Sequence, residues 1–356
     1  MAVRICPRAR LSGAAASYPP GKGPLARRRG RVLTTPSLET RTFRADRGDA
    51  GERLDLVLVR HLADRPEISR NRIQHWIEAG SVEIDGAPVG KPSDRVLAGA
   101  QISVLLPVLA PRLAPEAEEM ALEILYEDEY FLALNKPPGL VVHPNRSEAK
   151  GTLLNALVWR FKTAGEPGNP HLVQRLDRGT SGLLLVAKRP AMHAALAKAL
   201  RAERAEKEYL AICYGRPPRA SGKIHLRIDR HPTARGLRIA LPADSNLGQE
   251  SLTLFDTVAR GGGLSVVRCI LRTGRTHQIR VHLAALGMPI VGDPLYGIPG
   301  WNALRDPELS VLCRELPRQA LHAFRLRFVH PVTRVPLTLE APLPDDLQAL
   351  VDRIGE

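Results

Sequence analysis

The 356 residues carry 51 Lys and Arg against 37 Asp and Glu, a formal charge of +14, and 44% of them are apolar. That length calls for two domains, and that charge points to a polyanion, either nucleic acid or an acidic membrane surface. No apolar run reaches the length of a membrane span, and neither a lipidation signal nor a single basic amphipathic helix stands out, so a nucleic acid is expected and a membrane is not. Charge that serves solubility alone is the plainer alternative. Cys6, Cys213, Cys269 and Cys313 are scattered without metal-ligand spacing or a disulfide framework, and read as reduced thiols of a cytoplasmic protein.

Residues 1–50 are rich in Arg, Pro, Gly and Ala, densest at Arg27-Arg28-Arg29. They lack apolar periodicity and read as a disordered basic tail. Such a tail can track phosphates, form a transit peptide or be an inconsequential extension; a solvated tail is favoured. Residues 51–106 read as a small α/β module. Leu54, Val57, Leu58 and Leu62 mark one helix, Ser69 caps a second bearing Ile73 and Ile77, and Asp85-Gly86 is a hairpin turn before strand from Val96. Residues 107–120, rich in Pro, Ala and Glu, read as a linker to a second domain over 121–356.

In the second domain, Phe131–Lys136 is a strand, Pro137-Pro138-Gly139 a turn and Leu140–Pro144 a return strand. Leu153, Leu154, Leu157 and Phe161 mark a helix. His143 is taken as structural. Next comes Leu-Val-Gln-Arg-Leu-Asp-Arg-Gly-Thr-Ser-Gly-Leu-Leu-Leu-Val-Ala-Lys over 172–188. Its unbroken apolar half reads as a strand buried on both faces, with Leu172–Leu176 a shorter strand entering the turn. Asp177 then sits at a strand-to-loop junction between Arg175 and Arg178, where neighbouring positive charge favours ionisation and a nucleophile or base can be held. Pro190 opens a helix to about Glu206, and Lys207–Ile212 is a strand. Residues 215–260 read as broken strands, and Gly261-Gly262-Gly263 as a hairpin tip without the context of a nucleotide loop. After the strand Ser265–Leu271, Thr276 is expected to cap a helix that projects Arg280 from its first turn beside Arg275, an anion-attracting arrangement.

These stretches resemble the RluA family of RNA pseudouridine synthases. The resemblance spans about residues 52–345. It rests on Gln174-Arg175-Leu176-Asp177 with its Thr-Ser-Gly turn, on Asn135-Lys136-Pro137 and Val142-His143-Pro144, on Lys207-x-Tyr209-Leu210, on Gly274-Arg275-Thr276-His277-Gln278-Ile279-Arg280, and on Gly292-Asp293-Pro294 and Leu321-His322-Ala323. Gln174 stands where the family usually has His. The N-terminal module resembles the S4 RNA-binding domain. Together they imply an α+β protein: an S4-like α/β module and a catalytic domain on a mixed, largely antiparallel sheet. They also imply isomerisation of uridine in RNA to pseudouridine without cofactor or metal. Asp177 would be the nucleophile, at C1′ or C6, or would assist glycal formation. Tyr209 would pack on the flipped base or also serve in deprotonation at C5. Arg280 would pair with Asp177, and Arg275 would either do so in its place or grip a phosphate. Arg70, Arg72, Gln74 and Lys91 would face RNA from the S4-like module, and Arg175 and Arg178 beside the site. A monomer acting on 23S-type ribosomal RNA is expected, with transfer RNA second. A non-catalytic RNA-binding or ribosome-assembly protein would explain the charge but not the Asp, Tyr and Arg. A glycoside hydrolase would need a second carboxylate.

Overall fold

A computed structural model describes residues 38–65, 68–107, 115–145 and 148–355. They form two units, 38–107 and 115–355, each with its own core. Residues 1–37, with Cys6 and the Arg27–Arg29 cluster, lie outside the described residues.

The N-terminal unit runs β1 (Leu38–Arg44), α1 (Leu54–His61), α2 (Arg70–Glu78), β2 (Val82–Ile84), β3 (Ala87–Pro88) and β4 (Gln101–Pro107). Its antiparallel sheet has the order β1-β4-β2-β3. Leu54, Val57, Leu58, Leu62, Ile73 and Ile77 are buried together, as their spacing requires. Ser69 is the N-cap of α2, but its side chain makes no capping bond. The disordered tail expected over 1–50 is corrected at its end. β1 pairs with the whole of β4, Thr42 meets Ser103 across the ladder at 3.1 Å, and Phe43 stacks on His61 at 4.2 Å. Thr-Arg-Thr alternation is good edge-strand sequence. The surrounding arginines hide it from a reading of charge.

The C-terminal unit begins with residues 115–120, expected as linker. The Glu116 carbonyl accepts from Asn155 Nδ2, and the Glu118 carboxylate from the Gly151 N–H, both at 2.8 Å, so this part is fastened to its domain. The elements that follow are β5 (Glu123–Glu127), β6 (Phe131–Lys136), α3 (Leu153–Thr163), β7 (His171–Leu172), β8 (Ser181–Ala187), α4 (Pro190–Ala199), β9 (Glu206–Tyr214), β10 (Ser221–Arg230), β11 (Arg238–Leu241), β12 (Gln249–Gly261), β13 (Leu264–Leu271), α5 (Gln278–Ala285), α6 (Pro307–Glu315), β14 (Leu321–Val329), β15 (Pro336–Glu340) and α7 (Asp345–Gly355). The main path of the eleven-stranded sheet is β11-β10-β12-β13-β9-β14-β8-β6-β5, with β15 on β14 and β7 on β8. Only β8 and β14 pair parallel among the described strands. The sheet is therefore mixed and largely antiparallel.

β8 explains its own sequence. Leu184 and Val186 enter one core, and Leu183, Leu185 and Ala187 enter the core on the other face. Both faces are dry, so no polar residue alternates.

Three local expectations are corrected. Residues 140–144 form no strand, because β6 already has β5 and β8 as neighbours. The strand before Asp177 is only His171–Leu172. α4 stops at Ala199, where buried Leu200 and Ala205 anchor the turn into β9.

Candidate active site

A cleft of about 830 Å³ opens between the loop carrying Asp177, the β9 residue Tyr209 and the loop leading into α5. Asp177 is the single carboxylate among its described lining residues, against Arg175, Arg201, Lys207, Arg272, Arg275 and Arg280. The cleft is thus a basic basin around one acid.

The backbone under Asp177 is held residue by residue. Lys136 Nζ donates to the carbonyls of Pro137 (2.7 Å), Leu140 (3.0 Å) and Arg178 (3.1 Å). Three acceptors match the three donors of an ammonium. Burial lowers this lysine to about 7, with Arg318 adding to the effect. Arg318 Nη1 donates to the Gly179 carbonyl at 3.2 Å, and Gln319 Nε2 to Thr180 Oγ1 at 3.0 Å. His322 Nδ1 meets Ser181 Oγ at 2.9 Å. Arg318 is itself clamped by both oxygens of Asp346, at the start of α7. Gly182 follows at φ +106°, where an added Cβ would meet the Ala323 carbonyl oxygen at 2.3 Å. Only glycine lets β8 approach β14 here.

Arg280 Nη1 donates to Asp177 Oδ2 at 2.8 Å. Its Nε and Nη2 grip Asp293 in a two-pronged bond, 2.7 Å on each side. Asp293, whose side chain is fully buried, also accepts the N–H groups of Leu295 and Tyr296. Burial opposes charge on both partners. The hydrogen bonds and opposite charges win, holding Arg280 above its usual range and Asp293 below the usual carboxylate range. Gly292 sits at φ +69° with the Arg318 carbonyl where a Cβ would go, which fixes the turn that aims Asp293. The Tyr296 ring lies 5.1 Å from the Arg280 guanidinium.

α5 does not start as expected. His277, not Thr276, is its N-cap, with a left-handed φ of +59° and no side-chain cap bond. The end is secured instead by Gln278, whose Oε1 accepts from Thr273 Oγ1 and the Arg275 N–H and whose Nε2 donates to Leu252 O and Thr253 Oγ1. His282 continues this network. Ser251 Oγ donates to Leu226 O, so it accepts from His282 Nε2, and Nδ1 accepts from Thr253. The ring is neutral, and burial lowers it to about 4. His277 Nδ1 meets the Tyr296 hydroxyl at 2.8 Å, and its Nε2 lies 3.8 Å from Asp177 Oδ2. Tyr209 lines the cleft with no hydrogen-bond partner for its hydroxyl among the described residues. Burial, and then the charge of Asp177, push its phenol up.

Residues 130–285 match the family described as RNA pseudouridylate synthase, and residues 52–102 match the S4 domain. The "Ribosomal large subunit pseudouridine synthase D" of Xanthomonas campestris pv. campestris is 39% identical over 86% of this chain and 90% of its own length. The chain belongs to the RNA pseudouridylate synthase family. It is an isomerase with an S4 RNA-binding domain. The protein of the same name from Vibrio vulnificus is 38% identical over 85% of this chain and 91% of its own length. In fold, the catalytic region is similar to "Human RNA Pseudouridylate Synthase Domain Containing 4", with a TM-score of 0.53 at 24% identity, covering 65% of this chain and 92% of that one.

In this pseudouridylate synthase, the expected flanking of Asp177 by Arg175 and Arg178 does not produce ion pairs. Arg178 turns to Glu148 (2.5 Å) and the Gly139 carbonyl, and Arg175 is exposed at the cleft. Arg275 is exposed and donates through Nε to the Glu250 carbonyl, so Arg280 alone of the two expected arginines pairs with Asp177. Gln174 donates to the Leu183 carbonyl at 3.0 Å and thereby ties the loop to β8. In the S4 domain, Arg70 and Gln74 are partly corrected. Both donate to Asp55, a fully buried carboxylate that Arg53 also binds. Arg72 is half-buried on the same helix, and Lys91 is exposed. Asp46, Asp49 and His61 have the closeness of metal ligands, but Arg60 bonds both carboxylates. Sequence reasoning passed over Gln278, Asp293, Arg318 and Asp346. Asp293 lay in a quoted motif, but Asp-Pro reads as a turn.

Proposed function

We propose that this enzyme converts specific uridines of large-subunit ribosomal RNA to pseudouridine, with Asp177 as the reacting carboxylate. The observation that carries the reading is a cleft carboxylate, single among the described lining residues, bonded to a buried arginine and surrounded by cations. The N1–C1′ bond breaks, the uracil turns, C5 bonds to C1′, and the proton lost from C5 is balanced by one gained at N1. Nothing is added, so one positioned carboxylate suffices where a hydrolase needs two. Arg280, anchored on Asp293, holds Asp177 in one geometry. Tyr209 offers a face to the flipped base. Its raised pKa keeps it a phenol at neutral pH, which favours contact with the base over proton abstraction by a phenolate. The surrounding cations draw in the backbone, and Arg72 and Lys91 of the S4 domain add phosphate contacts. Ribosomal RNA is favoured because the two relatives above carry the large subunit in their names.

The test is pseudouridine mapping of ribosomal and transfer RNA from cells with and without the gene. Loss of one or more sites in large-subunit RNA, restored by the wild-type gene, is expected. Losses confined to transfer RNA, or none, would overturn the substrate.

A further inference from the structure

Beside the cleft, sharing Arg275 and Thr276 with it, lies a smaller recess of about 220 Å³. Arg230, at the end of β10, and Arg238, at the start of β11, line it from directly opposite positions of the antiparallel ladder. Side chains so placed stand about 5 Å apart at Cβ, and like charges there destabilise the strands. Arg275 closes the recess from the loop before α5. Among the described residues no carboxylate pairs with any of the three. Asp229 also lines the recess, where its Oδ1 accepts the Arg230 N–H at 2.7 Å, so three guanidiniums face one carboxylate there, and the Glu250 carboxylate bonds His225 at 3.0 Å. Arg275 has its Nε fixed on the Glu250 carbonyl, which leaves the ends of its guanidinium for a ligand.

We propose that this recess is a phosphate subsite that seats a backbone phosphate of the substrate RNA next to the target uridine. The proposal rests on the RNA-isomerising reading above and extends it to the register of the strand. Three converging guanidiniums are the chemistry of a phosphodiester, and the anion would relieve the Arg230–Arg238 repulsion. Continuity with the cleft through Arg275 and Thr276 selects a phosphate of the bound RNA over a free ion. The site is also wired to the chemistry. The Arg238 N–H donates to the Tyr296 hydroxyl at 2.8 Å, that hydroxyl bonds His277, and His277 faces Asp177.

The experiment measures binding of a large-subunit RNA transcript to the full chain carrying Asp177→Asn, with Arg230→Gln and Arg238→Gln added together. Arg219→Gln, an exposed change before the far end of β10, is the charge control. The slope of log affinity against log salt should become shallower by about 1 for the recess variant and hold for the control. Single methylphosphonate linkages placed around the modified uridine should weaken binding at one adjacent position, and the recess variant should lose nothing further there. The recess variant, relieved of like-charge repulsion, should melt at or above the parent. An unchanged slope, an equal change in the control, or no linkage coupled to the arginines would overturn the subsite. Absence of pseudouridine in wild-type turnover would instead overturn the enzymatic reading, since the binding arms do not depend on it.

Discussion

Arg280 serves two carboxylates unequally. Asp293 holds it by two parallel bonds in a fully buried position, and Asp177 takes the remaining bond at the edge of the cleft. Arg280→Ala should therefore strand Asp293, costing about 3–5 kcal/mol of stability and slowing single-turnover conversion sharply. Arg280→Lys should recover little, because an ammonium cannot make the fork. Denaturant titration together with single-turnover kinetics at saturating enzyme checks both, and a near-normal rate for Arg280→Ala would remove it from the site. The sign of the pH effect follows from the depressed carboxyl of Asp293. Its contribution is present above the ordinary carboxylate value of about 4 and lost as pH falls through its lower folded value. At this scale Asp177 and Arg280 were legible because motifs carry them. Asp293 was not, since only the folded turn behind α5 shows that it is an ion-pair partner. Arg70 has a structural partner hidden for the same reason: its bonds to buried Asp55 are invisible in a basic helix start, so Arg70→Ala should cost stability as well as RNA affinity.

At the scale of elements, the loop from Asp177 to Ser181 is rigid because other elements hold it: β6 through Lys136, the entry to β14 through Arg318 and Gln319, and β14 through His322. α7 reaches the same loop through Asp346. Asp346→Asn, at a residue that does not line the cleft, should lower kcat by about 10-fold with little change in KM, since a small displacement of a reacting group suffices for such a loss. Equal kcat for the variant and the wild type would show that α7 does not govern the loop. Gly182→Ala should be worse, because the colliding atom is backbone, and loss of soluble folded protein on expression is the outcome expected. β6, β8 and β13 were readable from apolar runs and α3 from its period. The start of α5 and the end of α4 were not, because buried polar side chains and core anchors decide them, not capping signals.

At the scale of the molecule, two neutral buried histidines, His282 and His322, link stability to pH. Burial lowers each to about 4, against about 6.5 when unfolded. Above about 6.5 they have no effect. As pH falls from there toward 4 the unfolded chain binds protons that the native one refuses, and stability drops by about 3 kcal/mol per histidine. Urea midpoints measured from pH 7 to 4.5 should fall accordingly, and less steeply for His322→Asn. The two-unit division also makes a prediction. Removing residues 1–113 should leave 115–355 folded on its own core while flattening the salt dependence of RNA binding. Full retention of the slope would separate the S4 domain from the substrate. Domain order and sheet type were readable in the motifs, whereas β1, the first described element, was masked by its charge. The central claim is that Asp177 performs the chemistry, and the measurement is single-turnover conversion of a large-subunit RNA transcript by purified Asp177→Asn at saturating enzyme. The account predicts no pseudouridine and RNA affinity within a few-fold of wild type; robust conversion by the variant would contradict it.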